Sequence, residues 1–110
     1  MSLFFLLLAA HALCDFALQG EVMGRGKSRR KALEQPPRPD DDFPPWYYWL
    51  AAHGLIHGGA VALLTGSLFL GVLETVLHTA IDHLKCERKL SFDQDQALHV
   101  GCKLLYVFLV

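Results

Sequence analysis

Histidine and carboxylate side chains recur at intervals of four residues inside the most apolar segments of this chain. The segment ETVLHTAID places Glu74, His78 and Asp82 at positions i, i+4 and i+8. On an α-helix these positions share one face. Because a buried polar group is costly unless it has a partner, we expect the other apolar segments to supply partners for this stripe.

The balance of apolar and charged residues favours a membrane protein. Hydrophobic residues make up 53% of the chain and charged residues only 19%. The length of 110 residues suits one domain, and a soluble domain of this size needs more polar surface. A net charge of -1 provides no general attraction to nucleic acid. Three cysteines without a CxxC pair do not fit a disulfide framework or a zinc knuckle.

Four apolar segments predict an all-α fold, a four-helix transmembrane bundle with a histidine and carboxylate cluster in its core. Each segment is near the lower limit of about 17 residues for a membrane span. The first lacks the basic start and the cleavage site of a signal peptide, so we interpret it as a retained helix. Pro45 is expected near the first turn of the second helix, and Ser67 is expected to cap the third. The predicted helices cover about 2–19, 45–64, 67–85 and 93–110, with a basic, Pro-rich loop over about 20–44.

Basic residues are concentrated in two of the connections and predict the topology. The connection after the third helix holds Lys85, Arg88 and Lys89, the long first connection is richer still, and the TGS turn between them has no charge. The positive-inside rule then places both basic connections in the cytoplasm and both termini outside it. This predicts a multi-pass protein of the inner membrane, in contact with lipid. The alternatives are a soluble buried bundle and a protein at the membrane interface.

Every predicted helix carries polar residues at the same spacing. With a rise of about 1.5 Å per residue, all of them fall in the cytoplasmic half of the membrane, so the stripes are expected to meet at one level. They are His11 and Asp15 in the first helix, His53 and His57 in the second, Glu74, His78 and Asp82 in the third, and Asp95 and His99 in the fourth, with Lys103 one turn further.

These nine imidazoles and carboxylates suit a divalent cation such as Zn, Mn, Fe or Mg. Nine donors exceed one tetrahedral site, so either two ions bind or some donors orient the ligands. Asp95 also suits the acidic first turn of its helix. The alternative is a polar network without a metal, although ionisable groups inside a membrane favour a functional site. The residues most typical of ligands are His53, His57, His78, Glu74 and Asp82, followed by His11, Asp15, Asp95 and His99.

Four motifs together resemble the signature of the domain-of-unknown-function 3307 family of small bacterial and phage membrane proteins. The segments AHALCDFALQ, HGLIH, ETVLHTAIDHLK and DQALH follow the outline HxxxDFxLQ, HxxxH, HxxIDxxK and DQxxH in this order. The Pro-rich insert in the first connection departs from a minimal member. The family implies no activity; more distantly, the pattern is similar to that of membrane-bound metal-dependent hydrolases. The motif positions are occupied by His11, Asp15, Gln19, His53, His57, His78, Asp82, Lys85, Asp95, Gln96 and His99.

The leading functional hypothesis is a membrane-embedded, metal-dependent hydrolase acting on a phosphoester or lipid-like substrate at the cytoplasmic face. A bound metal lowers the pKa of its water, and a carboxylate outside the ligand set, Glu74 or Asp82, would be the general base. Lys85 and Lys103, with the basic loop, are expected to hold the anionic substrate. A bis-histidine haem site suits the pattern less well, because carboxylates crowd the histidines.

Two other classes of function remain open at this point. One is a non-catalytic protein that binds metal or handles ions, which would need a homo-oligomer because four helices make a thin wall for a pathway. The other is a phage-type membrane interaction factor, in which the polar network only specifies how the helices pair.

Overall fold

In the computed structural model, α-helices account for most of the described chain, residues 2–34 and 44–110, and no strand occurs within these ranges. The all-α class predicted from the sequence is therefore confirmed. The helices are α1 (Leu3–Ala12), α2 (Gly20–Gly26), α3 (Arg29–Glu34), α4 (Trp46–Thr65), α5 (Leu68–Cys86) and α6 (Phe92–Leu109), and a π-helical turn (Leu13–Ala17) follows α1.

Capping residues mark where the long helices begin and end. The Ser67 hydroxyl accepts a hydrogen bond from the backbone N–H of Leu70 at the start of α5, which confirms its predicted role. Ser91 and Gln94 form a capping box at the start of α6. Gly66 ends α4 with a positive φ of 69°, a conformation that glycine adopts without strain. A tight turn therefore joins α4 to α5.

The first connection is partly helical where the sequence suggested a loop. Gly20 has a positive φ of 65°, which lets the chain turn after the π-helical turn. As a result, α2 runs at 88° to the segment Leu3–Ala17. Lys and Arg are good helix formers, and α2 and α3 occupy much of the basic stretch, lying against α4. Most of the Pro-rich stretch interpreted as irregular, residues 35–43, lies outside the described residues.

Small residues allow α4 and α5 to pack closely. A Cβ added at Gly71 would lie 2.6 Å from the Cβ of Ala62 and 2.9 Å from the carbonyl oxygen of Gly58. A Cβ added at Gly58 would lie 2.6 Å from the carbonyl oxygen of Gly71 and would clash with the Thr75 hydroxyl. Backbones approach this closely only where side chains are small, as is common between helices in membranes.

The two ends of the bundle have different interiors. A small apolar cluster fills the end near the α4–α5 turn and contains Leu7, Val61, Leu70 and Tyr106. Towards the other end, most buried side chains are histidines, carboxylates and lysines. Among the described residues, eleven polar or charged side chains are buried against six apolar ones. This is an unusual core, because ionisable side chains are seldom fully buried unless paired.

The exterior is correspondingly apolar. Leu63, Leu68 and Phe108 expose 87%, 78% and 78% of their surface, and they belong to a larger set of exposed apolar side chains on the long helices. By length and hydropathy, no single described helix qualifies as a membrane span, whereas Leu3–Ala17 and Gly20–Gly26 qualify together as a bent pair.

Candidate metal centre

The carboxylate of Asp15 lies at the centre of the polar cluster. Its Oδ1 atom is 3.2 Å from Nε2 of His53 and 3.0 Å from Nε2 of His57, both on α4. Nε2 of His78, on α5, is 3.9 Å from the same oxygen. Asp15 is in the π-helical turn, an irregularity that is frequent at functional sites. Three imidazoles from two helices therefore converge on one carboxylate oxygen.

The spacing of these four side chains fits a metal ion. One ligand atom from each of Asp15, His53, His57 and His78 lies within 4.8 Å of the others. In a tetrahedral site with bonds of about 2.0–2.1 Å, neighbouring ligand atoms are about 3.3 Å apart. The contacts of 3.0, 3.2 and 3.9 Å to Asp15 are close to this value. The donor set of three imidazoles and one carboxylate could thus hold a divalent cation.

A second group of donors shares His78 with the first and consists of Glu74, His78 and His99. Nδ1 of His78 is 3.7 Å from Oε1 of Glu74. The His78 ring stacks between the rings of His57 and His99, at centroid distances of 3.6 and 4.2 Å. Neither nitrogen of His78 has a hydrogen-bond partner within the described chain, although the residue is only 1% exposed. Such a buried nitrogen normally needs a partner, which a metal ion would provide.

The second group already contains a positive charge from the protein. The ammonium of Lys103 lies 2.6 Å from Oε2 of Glu74, and both side chains are almost completely buried. A buried carboxylate needs such a compensating charge. We therefore assign the Asp15 group as the candidate metal centre and describe Glu74 and Lys103 as an ion pair beside it.

Two side chains, those of His11 and Gln96, contact the other oxygen of Asp15, Oδ2. Nε2 of His11 is 3.3 Å from Asp15 Oδ2, and the amide nitrogen of Gln96 donates to the same oxygen at 3.2 Å. Gln96 also donates to Asp95 at 3.0 Å, and Asp95 Oδ1 is 3.3 Å from Nε2 of His99. These contacts orient Asp15 towards the histidines, as outer groups commonly do around metal ligands.

Asp82 lies at the opposite edge of the cluster and is paired with Lys27. Its Oδ2 atom is 2.6 Å from Nζ of Lys27 and 3.7 Å from Nε2 of His53. Lys27 lies between α2 and α3, is only 4% exposed, and also donates to Oε1 of Gln19. Asp82 therefore lies beside the candidate metal centre without belonging to either donor group.

The structure brings together all nine residues that the sequence analysis proposed as ligands, but it places only six of them in a donor group. The two donor groups include Asp15, His53, His57, His78, Glu74 and His99, while His11, Asp82 and Asp95 lie around them. Of the proposed catalytic residues, Lys103 pairs with Glu74, whereas Lys85 lies outside the cluster with Nζ 5.4 Å from the centroid of the Phe92 ring.

Two residues of the cluster were not predicted to lie in it. Lys27 belongs to the basic loop that was expected to hold the anionic substrate, and no helical spacing linked it to Asp82. Gln96 occupies a position in the DQALH motif. Its position next to Asp95 was the one feature of the sequence that could have indicated a place in the cluster. The contacts of Gln96 with Asp15 join residues far apart in the chain, so spacing alone does not reveal them.

Beside Lys27 lies a cavity of about 440 Å³. It is bounded by α2, α3 and the end of α5. The basic side chains that line it are Arg25, Lys27, Arg30, Lys31, Lys85 and Arg88.

An ion pair holds α3 against the end of α5 near this cavity. The Arg29 guanidinium donates to Oε1 of Glu87, and the Nε contact is 3.1 Å. These hydrogen bonds lower the pKa of the Glu87 carboxyl and raise the pKa of Arg29. Charge therefore helps to keep the basic segment in place beside the polar cluster.

The fold and the cluster together define an all-helical protein with a buried group of imidazoles and carboxylates that could hold a metal ion. The sequence profile of the family described as "Protein of unknown function (DUF3307)" matches residues 3–109, so the chain belongs to this family, as its four motifs predicted. No curated protein and no solved structure matches the chain. The family description names no activity.

Proposed function

We propose that the protein is a membrane-embedded metal protein that hydrolyses a phosphoester or lipid-like substrate at its cytoplasmic face. The observation that carries this proposal is the convergence of His53, His57 and His78 on one oxygen of Asp15. Three imidazoles and a carboxylate from three separate segments are costly to bury together, and a divalent ion would compensate that cost.

The distribution of polar and apolar side chains supports the membrane setting. The described part of the bundle buries its ionisable groups and exposes large apolar side chains, and ionisable residues inside membranes face the protein interior. Close α4–α5 packing through Gly58 and Gly71 suits a lipid environment as well. By the positive-inside rule, the basic residues around the cavity support a cytoplasmic position for that end and a position outside the cytoplasm for both termini.

The chemistry we propose uses Asp82 as the general base. A divalent ion at Asp15 would supply an electrophile for a phosphoryl oxygen and an acidified water. Asp82 lies 3.7 Å from Nε2 of His53 and outside the ligand set. Its carboxylate would accept a proton at that edge of the centre once the ion pair with Lys27 opens. Glu74 is two turns further from the cavity and is tied to Lys103. We therefore give Glu74 and Lys103 an electrostatic role.

Metal binding without catalysis is the second candidate. It is favoured by the burial of the three histidines, which are at most 1% exposed, since a catalytic ion must be reached by substrate. A role in ion handling would also use buried donors. Hydrolytic turnover distinguishes the hydrolase from the non-catalytic metal protein, and metal content tests the metal centre that both candidates require.

The first test is elemental analysis of the detergent-purified protein. We expect one divalent ion per chain in the wild type and a strong loss in His53→Ala. His83→Ala is the matched control, because His83 stacks on Trp46 outside both donor groups, at a centroid distance of 5.4 Å. Equal metal contents in the two variants, or no metal in the wild type, would contradict the metal centre.

The second test is hydrolysis of a chromogenic phosphoester with Zn, Mn or Mg. We expect turnover in the wild type and its loss in Asp82→Asn with the metal content retained. Absence of turnover in wild-type protein that demonstrably holds metal would exclude this hydrolase proposal and favour the second candidate.

The topology has its own test. A reporter that is active only outside the cytoplasm is expected to be active when inserted at Gly66 and inactive when inserted after Lys89. The opposite pattern would contradict the proposed orientation.

A further inference from the structure

The cavity beside Lys27 has a marked excess of positive charge. Six Lys or Arg side chains line it, and within the described residues Glu21 is the one acidic side chain among the lining groups. Like charges placed around one cavity repel one another, and an anion bound between them relieves that repulsion. The excess of positive charge therefore favours binding of an anion in the cavity.

The contacts inside the protein neutralise only part of this charge. Lys27 is paired with Asp82. Arg88 is 3.4 Å from Glu34, but both side chains are more than half exposed, and such surface pairs are weak. These two pairings do not involve Arg30 or Lys31, which also line the cavity.

Arg30 provides an independent observation that points to a ligand. Its Nε atom is buried and has no hydrogen-bond partner among the residues the structure describes. A buried donor normally finds an acceptor, and a guanidinium group matches the oxygens of a phosphate in a bidentate contact. An anion in the cavity would supply the missing acceptor.

The size of the cavity indicates what kind of anion fits. Its volume is about 440 Å³, within the range of about 300–1,000 Å³ of small-molecule sites. A phosphate with an attached organic group therefore fits better than a lone small ion.

Lys27 connects the cavity to the candidate metal centre. It lines the cavity, its Nζ atom is 2.6 Å from Asp82 Oδ2, and that oxygen is 3.7 Å from Nε2 of His53. An anion that draws the Lys27 ammonium towards the cavity would weaken the contact with Asp82. The cavity and the centre are thus neighbours that share one ion pair.

We propose that this cavity binds a phosphate monoester or diester group, with Arg30 as its principal contact and Lys27 as the link to Asp82. The inference rests on the proposed function in one respect, that the bound phosphate is the group that reacts. Binding of the anion itself does not require the metal. The phosphate could belong to a lipid headgroup or to a soluble ester, and the shared chemistry is a phosphate oxyanion at a guanidinium group.

The test is calorimetric titration of the purified, metal-stripped protein with two probes. One is glycerol 3-phosphate, and the other is a short-chain phosphatidic acid below its micelle concentration. We expect at least one probe to bind, and Arg30→Gln to weaken it about tenfold, as loss of a charge-assisted hydrogen bond does. Lys89→Gln is the matched control, because Lys89 is exposed and lies outside the cavity lining.

The outcomes distinguish a lipid headgroup from a soluble ester as the source of the phosphate. They also test the anion site separately from the metal centre. Binding of the soluble ester alone identifies a soluble ligand, and binding of the lipid alone identifies a headgroup. If neither probe binds, or if Arg30→Gln and Lys89→Gln bind equally well, the cavity proposal is wrong. Metal content is measured on the same Arg30→Gln preparation and should equal that of the wild type. Anion binding by protein that never takes up metal would contradict the metal centre and leave the anion site standing.

Discussion

The ammonium of Lys103 and the carboxylate of Glu74 form a direct ion pair inside the bundle, with Nζ 2.6 Å from Oε2. Both side chains are at most 1% exposed, so the contact replaces hydration for two charges. His78 and His99 complete a group of three donors around the same carboxylate. The protein therefore supplies its own cation at a place where a second metal ion could otherwise bind.

Lys103→Met is expected to convert a one-ion protein into a two-ion protein. Removing the ammonium leaves Glu74, His78 and His99 without a cation, and breaking a buried pair costs about 3–5 kcal/mol. Without metal the variant should melt at a lower temperature, and added Zn should recover part of the loss. Elemental analysis and thermal melting check this. The double variant Lys103→Met/Glu74→Gln should bind one ion. If Lys103→Met also binds only one ion, the expectation is wrong.

Asp15→Asn should abolish tight metal binding while preserving the shape of the side chain. The carboxylate oxygen that three imidazoles approach becomes an amide group, a much weaker ligand, so the metal affinity should fall by more than tenfold. Competition with a chromogenic chelator measures this. Asp93→Asn is the control, since Asp93 is an exposed acid in the first turn of α6. Equal affinities in the two variants would show that Asp15 is not a ligand.

Gln96→Leu should weaken metal binding without removing a ligand. The amide of Gln96 donates to both Asp15 and Asp95, and losing such an orienting contact typically costs about 10–100-fold in affinity. The same chelator competition reports the change, with the stoichiometry still one ion per chain. An unchanged affinity would mean that His11 alone is sufficient to orient Asp15.

Gly58→Ala should destabilise the α4–α5 pair by about 1–3 kcal/mol, the usual cost of overpacking a close contact. The new methyl group would meet the Gly71 carbonyl oxygen at 2.6 Å. Gly59→Ala is a matched control one residue away, where no atom lies within 4 Å among the described residues. It should be neutral or stabilising by up to about 1 kcal/mol, because alanine is the better helix former. Thermal melting of both variants tests the comparison.

The Arg29–Glu87 pair should contribute stability above the ordinary pKa of a glutamate, 4.5, and lose it on acidification. The hydrogen bonds from Arg29 lower the pKa of Glu87 in the folded state, so the unfolded chain takes up the proton first as the pH falls. The difference in melting temperature between wild type and Glu87→Gln should therefore shrink as the pH falls below 4.5. In an Arg29→Gln background the same comparison should show a smaller pH dependence, because Arg29 is the main cause of the lowered pKa.

Local pattern was sufficient to predict the long helices. The predicted segments 45–64, 67–85 and 93–110 differ by one residue at each end from α4, α5 and α6. The reason is that helical periodicity, a proline at the start and a serine cap all act within one or two turns of the chain. The first segment was predicted less well, because it contains a π-helical turn at Asp15, whose contacts with α4 and α6 join residues far apart in the chain.

The sequence by itself determined that each long helix carries its histidines and carboxylates on one face, since the i, i+4 spacing is a property of the single helix. Only the tertiary structure decided which partners meet. It directed His53, His57 and His78 to Asp15, paired Glu74 with Lys103, and brought Lys27 from a connecting segment to Asp82. The physical reason is that a buried charge is compensated by whichever group the packing of separate helices brings within a few ångströms, and that packing depends on the whole chain.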